Sequence, residues 1–135
     1  MKLYADEEHH AEVRALADSS GFVVSLLARV EVAAAIWRKV RMGDLRAGSA
    51  AVRVAAFEAD FFGAESFPSR FAVVGLGTAV LDDAARMVGT HGLRAYDAMQ
   101  LAAARAAAAD PDLRTFAAFD HTLSRAAAVE GFTLP

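Results

Sequence analysis

Phe71-Ala72-Val73-Val74-Gly75-Leu76 is the stretch that decides the fold. A short, continuously apolar run reads as a strand buried on both faces, and strands of that kind belong to parallel sheets covered by helices. Helical sequence lies on either side of it. Before it, Gly43 and Gly48 break the chain ahead of a helix over 50–62 with aromatics at Phe57, Phe61 and Phe62, which Pro68 stops. After it, Thr78 with Asp82 and Asp83 opens another helix, and Gly89 to Gly92 makes a loop. A strongly helical stretch over 93–109 follows, ended by Asp110-Pro111.

The same alternation continues outward. Phe22-Val23-Val24 is a short strand closed by Ser25, which is placed to N-cap a helix over 26–41. A helix over 3–18, ended by Ser19-Ser20-Gly21, precedes it, with acids in the first turns where they complement the helix dipole. Toward the other end, Thr115-Phe116-Ala117-Ala118-Phe119 reads as a strand with Asp120 at its tip. A helix over 122–130 follows up to Gly131, and Phe132-Thr133-Leu134 reads as a last edge strand. Parallel neighbours need crossover connections that helices supply, so the expectation is an α/β fold with a central, mostly parallel sheet flanked by helices in three layers. Residues 1–135 are expected to form a single domain. The chain opens in a helix where an α/β unit usually begins with a strand that becomes central in the sheet.

Composition narrows the chemistry. The chain is 56% hydrophobic and 23% charged, too apolar for disorder. It contains no Cys, which excludes disulfides, thiolate metal sites and a Cys nucleophile, and suits a reducing cytoplasm. Asp6-Glu7-Glu8 follows Met1-Lys2-Leu3 too closely for a signal peptide, and the longest uncharged run, 71–81, falls short of the roughly 18 residues that a membrane span needs. A soluble, cytoplasmic protein that does not enter membranes is expected. A net charge of −3 argues against indiscriminate nucleic-acid binding, yet the bases between Arg29 and Arg53 leave room for a local positive surface.

Three acids stand in apolar surroundings. Glu31 lies in Leu26-Leu27-Ala28-Arg29-Val30-Glu31-Val32-Ala33-Ala34-Ala35-Ile36-Trp37, roughly 200° around the helix from Arg29, so the two face opposite ways. Glu31 shares a stripe with Leu27, Ala34 and Ala35 and is the better candidate to point into a cleft, while Arg29 points to water. Asp97 sits early in a helix within Leu93-Arg94-Ala95-Tyr96-Asp97-Ala98-Met99-Gln100-Leu101, and Asp120 stands at a strand end, where ligands of open parallel sheets collect. Each has an ordinary alternative: Glu31 reaching solvent or Arg38 from the edge of an apolar face, Asp97 complementing a helix dipole, Asp120 capping a helix. Taken together they favour a cation that offsets their charge, and carboxylates suit the hard ions Mg²⁺ or Mn²⁺.

The remaining polar groups point to less. His9-His10, His91 and His121 show no ligand spacing and are read as surface or capping residues. Arg38, Lys39, Arg41 and Arg46 complete a helix end, where cations are favourable, with phosphate contact as the alternative. Gly75-Leu76-Gly77 lacks the further residues of a phosphate-cradling loop, and no Gly-x-Ser-x-Gly elbow exists.

In this order the residues resemble the PIN domain and, within it, the VapC toxins of bacterial toxin–antitoxin pairs. Lys2-Leu3-Tyr4-Ala5-Asp6-Glu7-Glu8 resembles the helix after that family's first strand. Ser25-x-Leu27 with Glu31-Val32-Ala33-x-Ala35 resembles its second-helix signature. The stretch from Leu93 to Ala102 resembles its central Asp motif, and Thr115 to Asp120 with Leu123 its strand-end Asp motif.

The resemblance implies a Mg²⁺- or Mn²⁺-dependent endoribonuclease in which Glu31, Asp97 and Asp120 are catalytic metal ligands, and in which the ion lowers the pKa of a water that attacks the RNA phosphodiester. It implies an antitoxin protein that inhibits the nuclease, and a homodimer. It also implies a first strand ending in a metal-ligating Asp followed by Ser or Thr, which on this reading precedes Met1. That departure makes a catalytically inactive PIN-fold module, one that sequesters antitoxin or RNA, the alternative function.

Overall fold

Helical spacing of apolar residues accounts for most of the architecture. The computed structural model describes residues 22–63, 65–110 and 112–135. The helix over 3–18, its Ser19-Ser20-Gly21 end and the pair His9-His10 lie outside the described residues. Among the described residues are two strands, β1 (Phe22–Ser25) and β2 (Phe71–Val74), which pair in a two-stranded parallel sheet. Five helices accompany them: α1 (Ala28–Arg41), α2 (Ala47–Phe62), α3 (Thr78–His91), α4 (Ala95–Ala107) and α5 (His121–Val129). The mixed α/β class expected from the strand and helix alternation is the one found. No described helix is long and apolar enough to cross a membrane.

The chain divides into two compact units. One holds Phe22 and Ala28–Ala72; the other holds Val23–Leu27 and Val73–Pro135. In the first, α1 packs against α2. Val32 and Ile36, four residues apart on α1, are buried, as are Ala50, Phe57 and Phe61 on α2 at spacings of seven and four. The Phe57 ring lies 5.5 Å from Phe61 and 6.4 Å from Phe71, in tilted contacts. The helix over 50–62 was expected to begin after Gly48 and to be stopped by Pro68. It starts at Ala47 instead, because a glycine in an exposed first turn costs little and meets nothing that would interrupt the helix. It ends at Gly63, whose φ of 71° and ψ of −176° only glycine adopts readily; a Cβ there would meet Phe67 O and Ser69 N at 2.7 Å.

The second unit carries the larger buried cluster. Val80, Ala84 and Met87 come from α3, Ala98, Leu101 and Ala102 from α4, and Leu123, Ala126 and Ala127 from α5, each set at helical spacing. Met87 and Leu101 are fully buried, each contributing roughly 2–3 kcal/mol of transfer free energy. Phe132 closes the cluster with its ring 5.6 Å from Phe116. Alanine at so many of the facing positions lets α3, α4 and α5 approach closely.

Several boundaries differ from the sequence reading, for local reasons. Ser25 does not cap a helix: it ends β1, Leu26 N still donates to Val74 O at 2.8 Å, and α1 begins only at Ala28. β2 is shorter than 71–76 and is not buried on both faces, since Ala72 and Val73 are exposed; among the described residues its only hydrogen-bonded neighbour is β1. Gly89 is not in a loop but inside α3, which runs to His91 and is capped by Gly92 in the left-handed region. The expected strands over 115–119 and 132–134 reduce to one parallel bridge between Thr115 and Thr133. Phe116 N donates to Thr133 O and Thr133 N to Arg114 O; the next ladder bond would need an N–H at Pro135, which proline lacks.

Candidate active site

Two of the three acids stand at helix beginnings in the second unit. Asp97 is in the first turn of α4, where Arg94 is the N-cap residue and supplies no side-chain cap. Its carboxylate is half-buried and has no hydrogen-bond or ion-pair partner among the described residues. Among the described residues, the charge beside the buried Leu93, Ala98 and Leu101 is offset by the positive end of α4.

Asp120 is the N-cap of α5, with extended φ and ψ of −86° and 124°. Its Oδ1 accepts from Leu123 N at 2.9 Å, so the capping role weighed from the sequence is real. One carboxylate oxygen suffices for that bond. The other has no partner among the described residues, and the group is exposed.

Glu31 belongs to the first unit, half-buried in the first turn of α1. Arg29 was expected to point to water. It is half-exposed, but its guanidinium forks onto Glu58 of α2, Nε to Oε1 at 3.0 Å and Nη2 to Oε2 at 3.2 Å, and lies 4.8 Å from the centre of the Phe62 ring. The hydrogen bond to Glu58 and then its charge hold Arg29 protonated above the ordinary arginine range. Arg29 therefore has its own acid on α2.

The second unit also holds a polar group that the sequence did not single out as functional. Ser25, at the carboxyl end of β1, is 9% exposed, and its Oγ is buried without a hydrogen-bond partner among the described residues. An unsatisfied buried hydroxyl costs about 1–3 kcal/mol. Ser25→Ala is therefore expected to raise stability by about 1 kcal/mol in urea unfolding; a loss of stability would show that the hydroxyl is satisfied in solution.

His91 departs further from expectation. It stands at the end of α3 with its side chain only 8% exposed, and its Nε2 lies 2.7 Å from Glu130 Oε1, which as a carboxylate oxygen accepts. Arg105 Nη1 reaches Glu130 Oε2 at 3.2 Å and Asp83 Oδ1 at 3.1 Å, and Arg86 Nη2 donates to the same Asp83 oxygen at 2.6 Å. This network ties α3, α4 and the residue after α5 together. His91 and Glu130 are 39 residues apart, so no local pattern announces the pair.

Among the described residues no three His, Asp or Glu side chains form a group that could hold a metal ion. What Asp97 and Asp120 offer is donor chemistry: hard carboxylate oxygens with open positions, the type that Mg²⁺ and Mn²⁺ prefer. The chemistry of each carboxylate suits such an ion, although the described residues gather no group of three. In comparison with known proteins, a model of the PIN domain matches residues 1–129. No curated protein gives a significant match.

Proposed function

The chain belongs to the PIN-domain family, whose members are in general nucleases that use divalent metals, and on that premise we propose that it is an endoribonuclease of the VapC type. In this reading it depends on Mg²⁺ or Mn²⁺, cleaves RNA phosphodiesters in the cytoplasm, acts as a homodimer and is held inactive by an antitoxin protein. Glu31, Asp97 and Asp120 are its metal ligands.

The observation that carries the reading is Asp97, a half-buried carboxylate without a partner among the described residues, in a protein of this family. A structural acid in that position would normally be paired or hydrogen-bonded. Asp120 adds an oxygen beyond the one committed to its cap. When bound, the ion supplies the charge that lowers the pKa of a water and stabilises the developing charge on the phosphate. The chain's own contribution is orientation: α4 and α5 are fixed by the buried cluster of Leu101, Ala102, Leu123 and Ala126, so the two aspartates are carried by rigid helix beginnings.

Purified protein incubated with a structured RNA is expected to cleave it in the presence of Mn²⁺ or Mg²⁺ and to stop on chelation. Cleavage that persists in excess chelator would sink the metal-dependent reading. RNA or antitoxin binding without any cleavage in either metal would favour the inactive binding module.

A further inference from the structure

The turn between α1 and α2 carries a set of cations, one of which, Arg46, helix stability does not explain. Arg38 and Arg41 lie in the last turn of α1 and Arg46 is the N-cap residue of α2. All three are exposed, and none has a carboxylate partner among the described residues. Between Arg38 and Arg53 the only acid is Asp44. In a chain of net charge −3, this is a local reversal of sign.

The backbone beneath them is fixed. Gly43, with φ of 82°, donates to Val40 O at 3.0 Å, and Asp44 N donates to Lys39 O at 2.9 Å. These two bonds close the end of α1 in a Schellman turn, so the arginines are held on a defined bend. Arg38 and Arg41 face the negative end of α1, where cations are favourable. Arg46 is the opposite case. It puts a positive charge at the positive end of α2, whose first turn has no acid and whose N-cap residue makes no side-chain cap bond. A polyanion outside the chain would turn that unfavourable placement into a favourable one.

We propose that the α1–α2 turn is a docking surface for the RNA backbone, with Arg38, Arg41 and Arg46 each taking a phosphate. The inference rests on the ribonuclease reading and names where the substrate is held. A guanidinium presents a planar fork that matches phosphate oxygens, which is why arginine serves this role better than lysine. Phosphate contacts of this kind position an RNA without reading its sequence.

The test is fluorescence anisotropy with a labelled RNA hairpin in chelator, which prevents cleavage, across about 50–200 mM salt. The Arg38→Gln/Arg41→Gln/Arg46→Gln protein is expected to bind about tenfold or more weakly than wild type near 100 mM salt, and the slope of log K against log salt is expected to fall by about 2. Arg46→Gln alone is expected to reduce the slope by about 0.7 while leaving the melting temperature equal or higher, which separates binding from misfolding. Failure of wild type to bind the hairpin, or equal affinity and slope in all three proteins, overturns the proposal. So does a loss confined to binding of polyglutamate, which would assign the surface to an acidic protein. Cleavage is read separately in Mn²⁺. Binding that follows the expected slopes without cleavage keeps this surface and removes the nuclease; cleavage with an unchanged KM in the triple variant keeps the nuclease and removes this surface.

Discussion

Asp97→Asn is expected to lower metal-dependent RNA cleavage by on the order of 100-fold or more, because a metal ligand that loses its charge loses both ion affinity and orientation. The substitution keeps the shape of the side chain. It also breaks no hydrogen bond or ion pair among the described residues, so the stability cost is confined to the helix-dipole contribution in the first turn of α4, about 0.3–1 kcal/mol. The disparity between the two effects identifies the role. Single-turnover cleavage and urea unfolding on the same preparation measure both. Wild-type cleavage by Asp97→Asn would return this residue to an ordinary acid at a helix beginning.

The largest stability effect outside the hydrophobic cluster is expected at Glu130. Its two oxygens hold His91 at 2.7 Å and Arg105 at 3.2 Å, and its side chain is only 15% exposed. Glu130→Ala removes the acceptor from a buried imidazole and from a guanidinium, and a partner stranded in this way costs several kcal/mol when fully buried. Arg105 is partly exposed and retains Asp83, so the loss is discounted to about 2–3 kcal/mol. Glu130→Gln keeps an oxygen for His91 and is expected to recover part of it. A change in unfolding free energy below about 0.5 kcal/mol in both variants would show that water screens the network. Nearby, the hydrogen bond that Arg86 donates to Asp83, and then the Asp83 charge, raise the Arg86 guanidinium above the ordinary arginine range. A raised folded-state value stabilises fully below the ordinary arginine range and is lost only above it, so that contribution does not vary through neutral pH.

What the sequence made legible follows how local each determinant is. Helices α3 to α5 were readable because their alanines favour helix and their larger apolar residues recur at helical spacing. The capping role of Asp120 was readable because cap and acceptor lie three residues apart. Gly48 and Gly89 misled as breaks: a single glycine costs a helix about 1 kcal/mol, which surrounding turns and packing override. The strands over 115–119 and 132–134 misled because a ladder needs a donor at each step, and Pro135, where the next bond would form, has no N–H. The His91–Glu130 pair was invisible because it is formed across most of the second unit. For the site, the order and contexts of Glu31, Asp97 and Asp120 carried the family, whereas the open state of Asp97 and the fork of Arg29 onto Glu58 required the fold.

The proposed function makes Glu31, Asp97 and Asp120 ligands of a divalent ion, and Mn²⁺ titration by calorimetry tests that proposal without reference to any RNA. Wild type is expected to bind a single saturable Mn²⁺ per chain, and Glu31→Gln, Asp97→Asn and Asp120→Asn are each expected to weaken it by about tenfold or more. Asn caps a helix about as well as Asp, so Asp120→Asn keeps α5 intact and isolates the charge. No saturable Mn²⁺ binding to wild type, or equal binding by all four proteins, would contradict the account.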